Sequence, residues 1–149
     1  MTPLVFCLFL VAADAPDQQT LEKKFKETMA NATLVGSFTM DGRDHPATDR
    51  YEIAKASKLS GSKWEITARI KYGDIDVKVP VPVEVKWAGE TATIQLTDLE
   101  LPLLKGKFRT RLLIDGDRYA GTWAHDQAGG HMWGKIVKNA PAAAGSPKP

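Results

Sequence analysis

Thiol chemistry has almost no basis in this sequence. The 149 residues include one cysteine, Cys7, which lies in an unbroken apolar run from Leu4 to Ala13. That run closes on small residues, as signal peptides do before their cleavage site. We therefore predict a signal peptide over residues 1–13 and a secreted or periplasmic protein; a buried N-terminal strand is the alternative. The mature chain would hold no thiol, which excludes disulfides, zinc–thiolate sites and cysteine nucleophiles.

The sequence also has little net charge and few long hydrophobic runs. Lys and Arg total 20 against 18 Asp and Glu, a balance that argues against a nucleic-acid partner. No apolar run reaches the ~18 residues of a transmembrane helix, so we expect no stable membrane insertion after signal cleavage. The hydrophobic content of 43% is too high for a disordered chain. We predict one domain over residues 14–139 and a disordered Ala- and Pro-rich tail over residues 140–149.

Sequence motifs of catalysis are missing too. The sequence has no nucleophile elbow, phosphate loop or HExxH motif. The paired carboxylates lie near turns, where Asp is expected for backbone reasons. We therefore expect a protein that is not an enzyme and that needs no cofactor.

The periodicity of the remaining chain predicts one helix followed by strands. Leu21, Phe25 and Met29 recur at helical spacing, and Asp17 or Thr20 is placed to cap that helix. From Thr33 onward, apolar and polar residues alternate in about eight short-connected segments. This pattern predicts an all-β fold, an eight-stranded antiparallel up-and-down β-barrel with one short N-terminal amphipathic helix; a β-sandwich is the alternative.

Turn residues set the expected strand registers. A two-residue turn at Gly73-Asp74 pairs Tyr72 with Ile75 and keeps the apolar groups of both strands on one face. In the second of these strands, Pro80 and Pro82 are two residues apart. Both therefore remove a backbone N–H group from the same edge of the strand. They indicate a bend or an unpaired edge there.

The last two hairpins are expected to align three aromatic rings. A turn at Asp115-Gly116 sets Phe108 opposite Trp123, and a loop over residues 126–130 sets Trp133 opposite Trp123. Cross-strand aromatic pairs of this kind stabilise sheets.

The order of parts resembles the calycin superfamily, in particular the lipocalins. Gly36-Ser37-Phe38 corresponds to the lipocalin Gly-x-Trp motif, with Phe in place of Trp. Lys135 or Lys138 stands where a lipocalin's last strand brings an Arg over that ring. The segments 119–123 and 129–131 are also similar to small secreted bacterial proteins of uncharacterised function. The lipocalin resemblance implies a small apolar or amphipathic ligand held inside the barrel.

A ligand inside the barrel would contact the inward side chains. The candidates are Lys55, Trp64, Ile66, Ile70, Val81, Phe108, Tyr119, Trp123 and Trp133. Lys55 would attract a ligand carboxylate if it faces inward with Tyr51 and Ile53. The alternative is a bulge that turns it outward.

Two further groups of residues allow other functions. His125 and His131 would face each other across the final hairpin and could share a metal with Asp126, although structural packing is the commoner role of such histidines. Four basic side chains also occur at every second residue, which places them on one face of a strand: Lys105, Lys107, Arg109 and Arg111. They form either a solvated outer face or a contact surface for an anionic partner. The second reading makes the chain an interaction module with a filled barrel.

Overall fold

The computed structural model describes residues 17–72, 75–101 and 104–140, so the predicted signal peptide and nearly all of the tail lie outside the described residues. Within these residues, eight strands follow one helix and form a closed barrel in which β1 pairs with β2 and with β8. All neighbouring strands are antiparallel, and the pairing of β1 with β8 confirms the predicted barrel and excludes the sandwich. The elements are α1 Gln18–Met29, β1 Ala32–Phe38, β2 Ala47–Ser60, β3 Lys63–Tyr72, β4 Ile75–Ala88, β5 Thr91–Leu101, β6 Leu104–Asp115, β7 Arg118–His125 and β8 Ala128–Lys138.

Helix α1 begins where the sequence predicts. The Asp17 carboxylate accepts a hydrogen bond from the Thr20 N–H at 2.8 Å and so satisfies one free donor of the first turn. The apolar stripe of Leu21, Phe25 and Met29 is buried. Within the described part of the chain, no helix has the length and apolar character needed to cross a membrane.

One end of the barrel is covered by α1, and we call it the closed end. Phe25 packs edge-on against Trp64 at the start of β3, with ring centroids 5.2 Å apart, and against Trp87 at the end of β4, at 6.1 Å. The Lys138 ammonium at the end of β8 donates to the Ala30 carbonyl at 2.6 Å and to two carbonyls in the last turn of α1. A cation at this position satisfies free carbonyls and complements the helix dipole.

An ion pair fixes α1 to β2. The Lys58 ammonium lies 2.5 Å from the Glu22 carboxylate, and Glu22 is only 9% exposed. The hydrogen bond from Lys58, with a second from Gln18, lowers the pKa of Glu22 below its ordinary value. The stabilisation is therefore present above the pKa of Glu22 in the unfolded chain and is lost as the pH falls through the lower folded value.

We expect Glu22→Gln to lower the free energy of unfolding by about 1 kcal/mol at pH 7. Because acid protonates Glu22 in the parent chain, the difference should shrink in urea denaturation repeated at pH 3. Glu27→Gln, on the exposed face of the same helix, is the control and should change little at either pH. A loss for Glu22→Gln that is equally large at both pH values would contradict this assignment.

The β3–β4 register agrees with the sequence prediction. Tyr72 pairs with Ile75 and Ile66 pairs with Val81. The β6–β7 register is shifted by two residues from the prediction. Asp115 pairs with Arg118, the turn begins at Gly116 with φ of 58°, and Phe108 faces His125 instead of Trp123. A shift of two residues keeps each side chain on its predicted face.

The β7–β8 register departs by an odd number of residues, so the predicted aromatic row is wrong. Asp126 adopts φ of 51°, His125 pairs with Ala128, and the connection needs only two residues instead of five. Trp123 therefore faces Gly130, and Trp133 faces Ala120. An odd shift reverses the two faces of a strand, and Trp133 is 42% exposed on the outer wall.

The barrel wall opens between β4 and β5. Among the described residues, these strands pair only between Glu84–Ala88 and Thr91–Gln95, whereas β4 pairs with β3 from Ile75 to Glu84, which covers the whole of β3. The Val85 N–H donates to the Ser62 carbonyl on the β3 side, so alternation turns the backbone of Pro80 and Pro82 toward β5. Proline has no N–H to offer there. The predicted unpaired edge is confirmed, and it lies toward the end opposite α1, which we call the open end.

Candidate functional site

The inner face of the barrel changes from buried to solvent-accessible along its axis. Near the closed end, every strand contributes a buried inward side chain: Leu34, Ile53, Trp64, Val85, Ile94, Ile114, Tyr119 and Ile136. Toward the open end, the inward residues of seven strands are half-buried or exposed: Phe38, Tyr51, Ala68, Val79, Leu96, Thr110 and Trp123. On β8, Met132 stays buried. Solvent therefore reaches the inner wall in this second region, which we call the open half.

Aromatic side chains form much of the wall of the open half. Phe38 and Trp123 meet edge to face with centroids 5.8 Å apart. The Trp123 indole N–H donates to the Thr39 carbonyl at 3.0 Å, which fixes the ring at the mouth. Phe108 stacks on His125 at 4.0 Å. Such rings offer a large apolar surface with little rotational freedom to lose when a ligand binds.

A polar cluster of Asp49, Tyr51 and Tyr119 interrupts this apolar wall. Tyr119 on β7 faces Gly134, which faces Gly36, which faces Asp49 on β2. The Tyr119 hydroxyl lies 2.5 Å from the point where a Cβ on Gly36 would stand. The tyrosine ring therefore extends across two glycines toward Asp49, and the absence of two side chains makes its position possible.

The environment of the two tyrosines agrees with this placement. Burial, and then the nearby Asp49 charge, raises the pKa of Tyr119 to about 12. Burial also raises the pKa of Tyr51, and a hydrogen bond to the Asp49 carboxylate adds to the effect. Yet Tyr51 is 41% exposed. Both the raised pKa and the exposure are explained if the Tyr51 side chain is surrounded by the barrel wall and solvent reaches it from inside the barrel.

The predicted ligand-binding residues divide between the two halves. Phe108 and Trp123 lie in the open half, Tyr119 belongs to the polar cluster, and half-buried Val81 pairs with Ile66 and packs against the core between the two halves. Trp64 and Ile66 are buried in the core near the closed end, where they support the floor. The backbone of Ile70 pairs with Val77, but its side chain lies outside the described residues.

Lys55 and Trp133 are wrong as lining residues. Ile53 pairs with Ala68 and Lys55 pairs with Thr67, so Ala54 is an extra residue in β2. This β-bulge turns Lys55 outward, and its side chain is exposed. The interior therefore lacks the cation that the sequence suggested for a ligand carboxylate. Trp133 is on the outer wall because of the β7–β8 register.

The predicted histidine pair is wrong as well. His131 pairs with Thr122 on the outer face, whereas His125 pairs with Phe108 on the inner face. The His125 ring nitrogen lies 2.7 Å from the Lys105 carbonyl, and Asp126 accepts a hydrogen bond from the Lys107 N–H. No group of three or more potential metal ligands occurs among the residues that the structure describes.

The four cations of β6 share the outer face, as predicted. Lys105, Lys107 and Arg109 are exposed. Arg111 is held by the wall, since its guanidinium donates to the Leu96 carbonyl at 2.6 Å and to the Thr97 hydroxyl at 2.8 Å. A role in binding an anionic partner stays a prediction.

The lysine expected over Phe38 is not there. Lys135 pairs with Val35 on the outer wall, and Lys138 contacts the end of α1 at the other end of the barrel. Phe38 instead pairs with Met132 and packs on Trp123. This detail differs from what the lipocalin resemblance implies.

Sequence reasoning missed Asp49 and Phe38 as lining residues. A signal for Asp49 was present, because it lies two residues before Tyr51 on the same strand face. Its approach to Tyr119 depends on the β1–β8 closure and on the flipped β7–β8 register, which no local pattern specifies.

Comparison with known proteins adds no assignment: no protein-family model, no curated protein and no solved structure matches the chain. The geometry of the barrel interior is therefore the basis for a function.

Proposed function

We propose that this chain is a secreted, non-enzymatic binding protein that holds a small apolar or amphipathic ligand in the open half of its barrel. The observation that carries the proposal is the change in exposure along the inner face. The same apolar inner face is packed near α1 and is reached by solvent at the other end. Accessible, concave apolar surface is typical of small-molecule sites.

The opening between β4 and β5 supports the same function. Val79 and Leu96, on either side of it, are inward-facing and half-buried. Because Pro80 and Pro82 have no N–H to complete a β4–β5 ladder, the wall does not close there. An apolar molecule can thus approach the interior from the mouth or from the side. The lipocalin-like order of helix and strands points to the same class of ligand.

A matched pair of substitutions tests the proposal. Thr110 points into the open half between Leu96 and Trp123, whereas Thr122, on the adjacent strand, points outward. The full-length protein is titrated with N-phenyl-1-naphthylamine, an uncharged dye whose emission rises in apolar surroundings. We expect saturable binding, a loss of affinity of about tenfold or more in Thr110→Phe, and no change in Thr122→Phe.

The controls separate binding from folding. Thermal unfolding of both variants should stay cooperative and close to that of the parent chain. A folded parent protein that does not bind the dye would overturn the proposal. So would a folded Thr110→Phe variant with full affinity, because the dye would then bind elsewhere.

A further inference from the structure

Among the described strand residues, the open half contains one fixed charge. Along the described parts of the strands, alternation places Asp49 as the single charged residue on the inner face of this region. Lys55 is turned outward by the bulge, and Lys58 is held by Glu22 near α1. A carboxylate in a partly enclosed, low-dielectric space interacts strongly with any ligand charge.

The polar cluster has unused hydrogen-bonding capacity. The Asp49 carboxylate accepts from the Arg50 N–H at 2.8 Å and forms no ion pair with a described residue. A carboxylate has about four acceptor positions, so this bond and the one from Tyr51 leave room for more donors. The Tyr119 hydroxyl is fully buried and has no hydrogen-bond partner in the described structure, and a buried hydroxyl without a partner is costly.

The cluster is also placed to receive one end of an elongated molecule. Gly36, which pairs with Asp49, lies two residues before Phe38 on the same face of β1. Phe38 and Trp123 therefore lie between the cluster and the mouth. A ligand whose head reaches Asp49 has its chain against these two rings.

The geometry points to a ligand with a protonated amine head, received by Asp49 with Tyr51 and Tyr119, and an apolar chain directed toward the open end. This inference rests on the proposed function and narrows it. An ammonium group supplies the donors and the positive charge that an unpaired carboxylate favours. A carboxylate head would meet a like charge, so the ligand class is the reverse of the one that an inward Lys55 would have selected.

Three probes with the same twelve-carbon chain test the inference on the full-length protein: dodecylamine, dodecanol and dodecanoate. Each displaces N-phenyl-1-naphthylamine at pH 7, below the concentration at which it aggregates. We expect dodecylamine to bind at least about tenfold more tightly than dodecanoate, with dodecanol between them. Asp49→Asn should reduce the amine-to-carboxylate ratio to within about threefold and change dodecanol affinity less than the affinity for either charged probe.

Two controls make the result specific to the cluster. Glu65→Gln removes one negative charge from the outer face of β3 and should leave the ratio as it is in the parent. Tyr119→Phe should weaken dodecylamine and leave the melting temperature equal or higher, since it removes an unpaired buried hydroxyl.

The outcomes separate the two proposals. If the dye and dodecanol bind but dodecanoate equals or exceeds dodecylamine, the head-group inference is overturned and the binding function stands. A ratio that survives in Asp49→Asn overturns it equally. If neither the dye nor any probe binds the folded protein, the binding function itself fails.

Discussion

Phe25→Ala is expected to lower the free energy of unfolding by about 4 kcal/mol, because it removes the side chain that joins α1 to the closed end. Phe25 is 3% exposed and packs in T-shaped contacts against two tryptophan rings. Its removal loses the free energy gained by burying the ring and the two aromatic contacts. It also leaves a cavity between α1 and the two tryptophans. A loss of this size is a large part of the 5–15 kcal/mol that usually stabilises a domain.

The neighbours of Phe25 make the loss hard to repair. Trp64 beneath it is 0% exposed, and its indole N–H has no hydrogen-bond partner among the described residues. The Lys26 ammonium lies 5.6 Å from the Trp64 ring centroid, where it interacts with the ring face. Loss of the Phe25 ring admits water beside the Trp64 ring and weakens the packing of α1 against the closed end of the barrel.

Urea denaturation followed by tryptophan emission measures the effect. The emission of folded Phe25→Ala should shift to longer wavelength as water reaches Trp64. Phe25→Leu, which keeps most of the volume, should lose only about 1 kcal/mol. Lys24→Ala, one residue away on the exposed face, should change the stability by less than about 0.5 kcal/mol. If Phe25→Ala resembled Lys24→Ala, the closed end would not depend on α1.

The architecture was predictable because most strands carry one apolar face and short turns. The β3–β4 pair shows this best, since the alternation and the turn predicted at residues 73–74, which lie outside the described residues, select the register that is observed. The second turn was predicted one residue too early, at Asp115-Gly116 instead of residues 116–117. This error shifted the predicted β6–β7 register by two residues. The error left Phe108 and Trp123 on the correct face.

The candidate site was less predictable because it depends on odd shifts in register. One extra residue at Ala54 turned Lys55 outward, and the tight turn at Asp126 moved Trp133 and His131 outside. The first inserts one residue and the second shortens the predicted connection by three, and each odd change reverses every side chain that follows it in the strand. The polar cluster further depends on contacts between β1, β2, β7 and β8, which are distant in sequence.

Closure of the barrel between β1 and β8 leads to the second large effect, which we expect for Gly134→Ala. A Cβ at Gly134 would stand 2.2 Å from the Val35 carbonyl oxygen and 2.6 Å from the Gly36 Cα. Both contacts are with backbone, so no rotamer change relieves them. The strands must separate, and we expect a loss of about 3 kcal/mol. The ladder between these strands runs through seven residue pairs, and the Gly36–Gly134 pair lies next to the central one.

A second glycine on the same strand provides the control. A Cβ at Gly129 would lie 3.2 Å from the Trp123 carbonyl, so Gly129→Ala should cost less than about 1 kcal/mol. Hydrogen exchange should localise the difference: Gly134→Ala speeds exchange of amides in β1 and β8 before those of β3 and β4. Uniform acceleration, or equal stability of the two variants, would contradict a local clash at the closure. Because the Tyr119 ring lies across Gly134 and Gly36, the same substitution should also displace its hydroxyl from Asp49. The two glycines that allow β8 to pair with β1 thus also leave the space in which the polar cluster of Asp49, Tyr51 and Tyr119 forms inside the barrel.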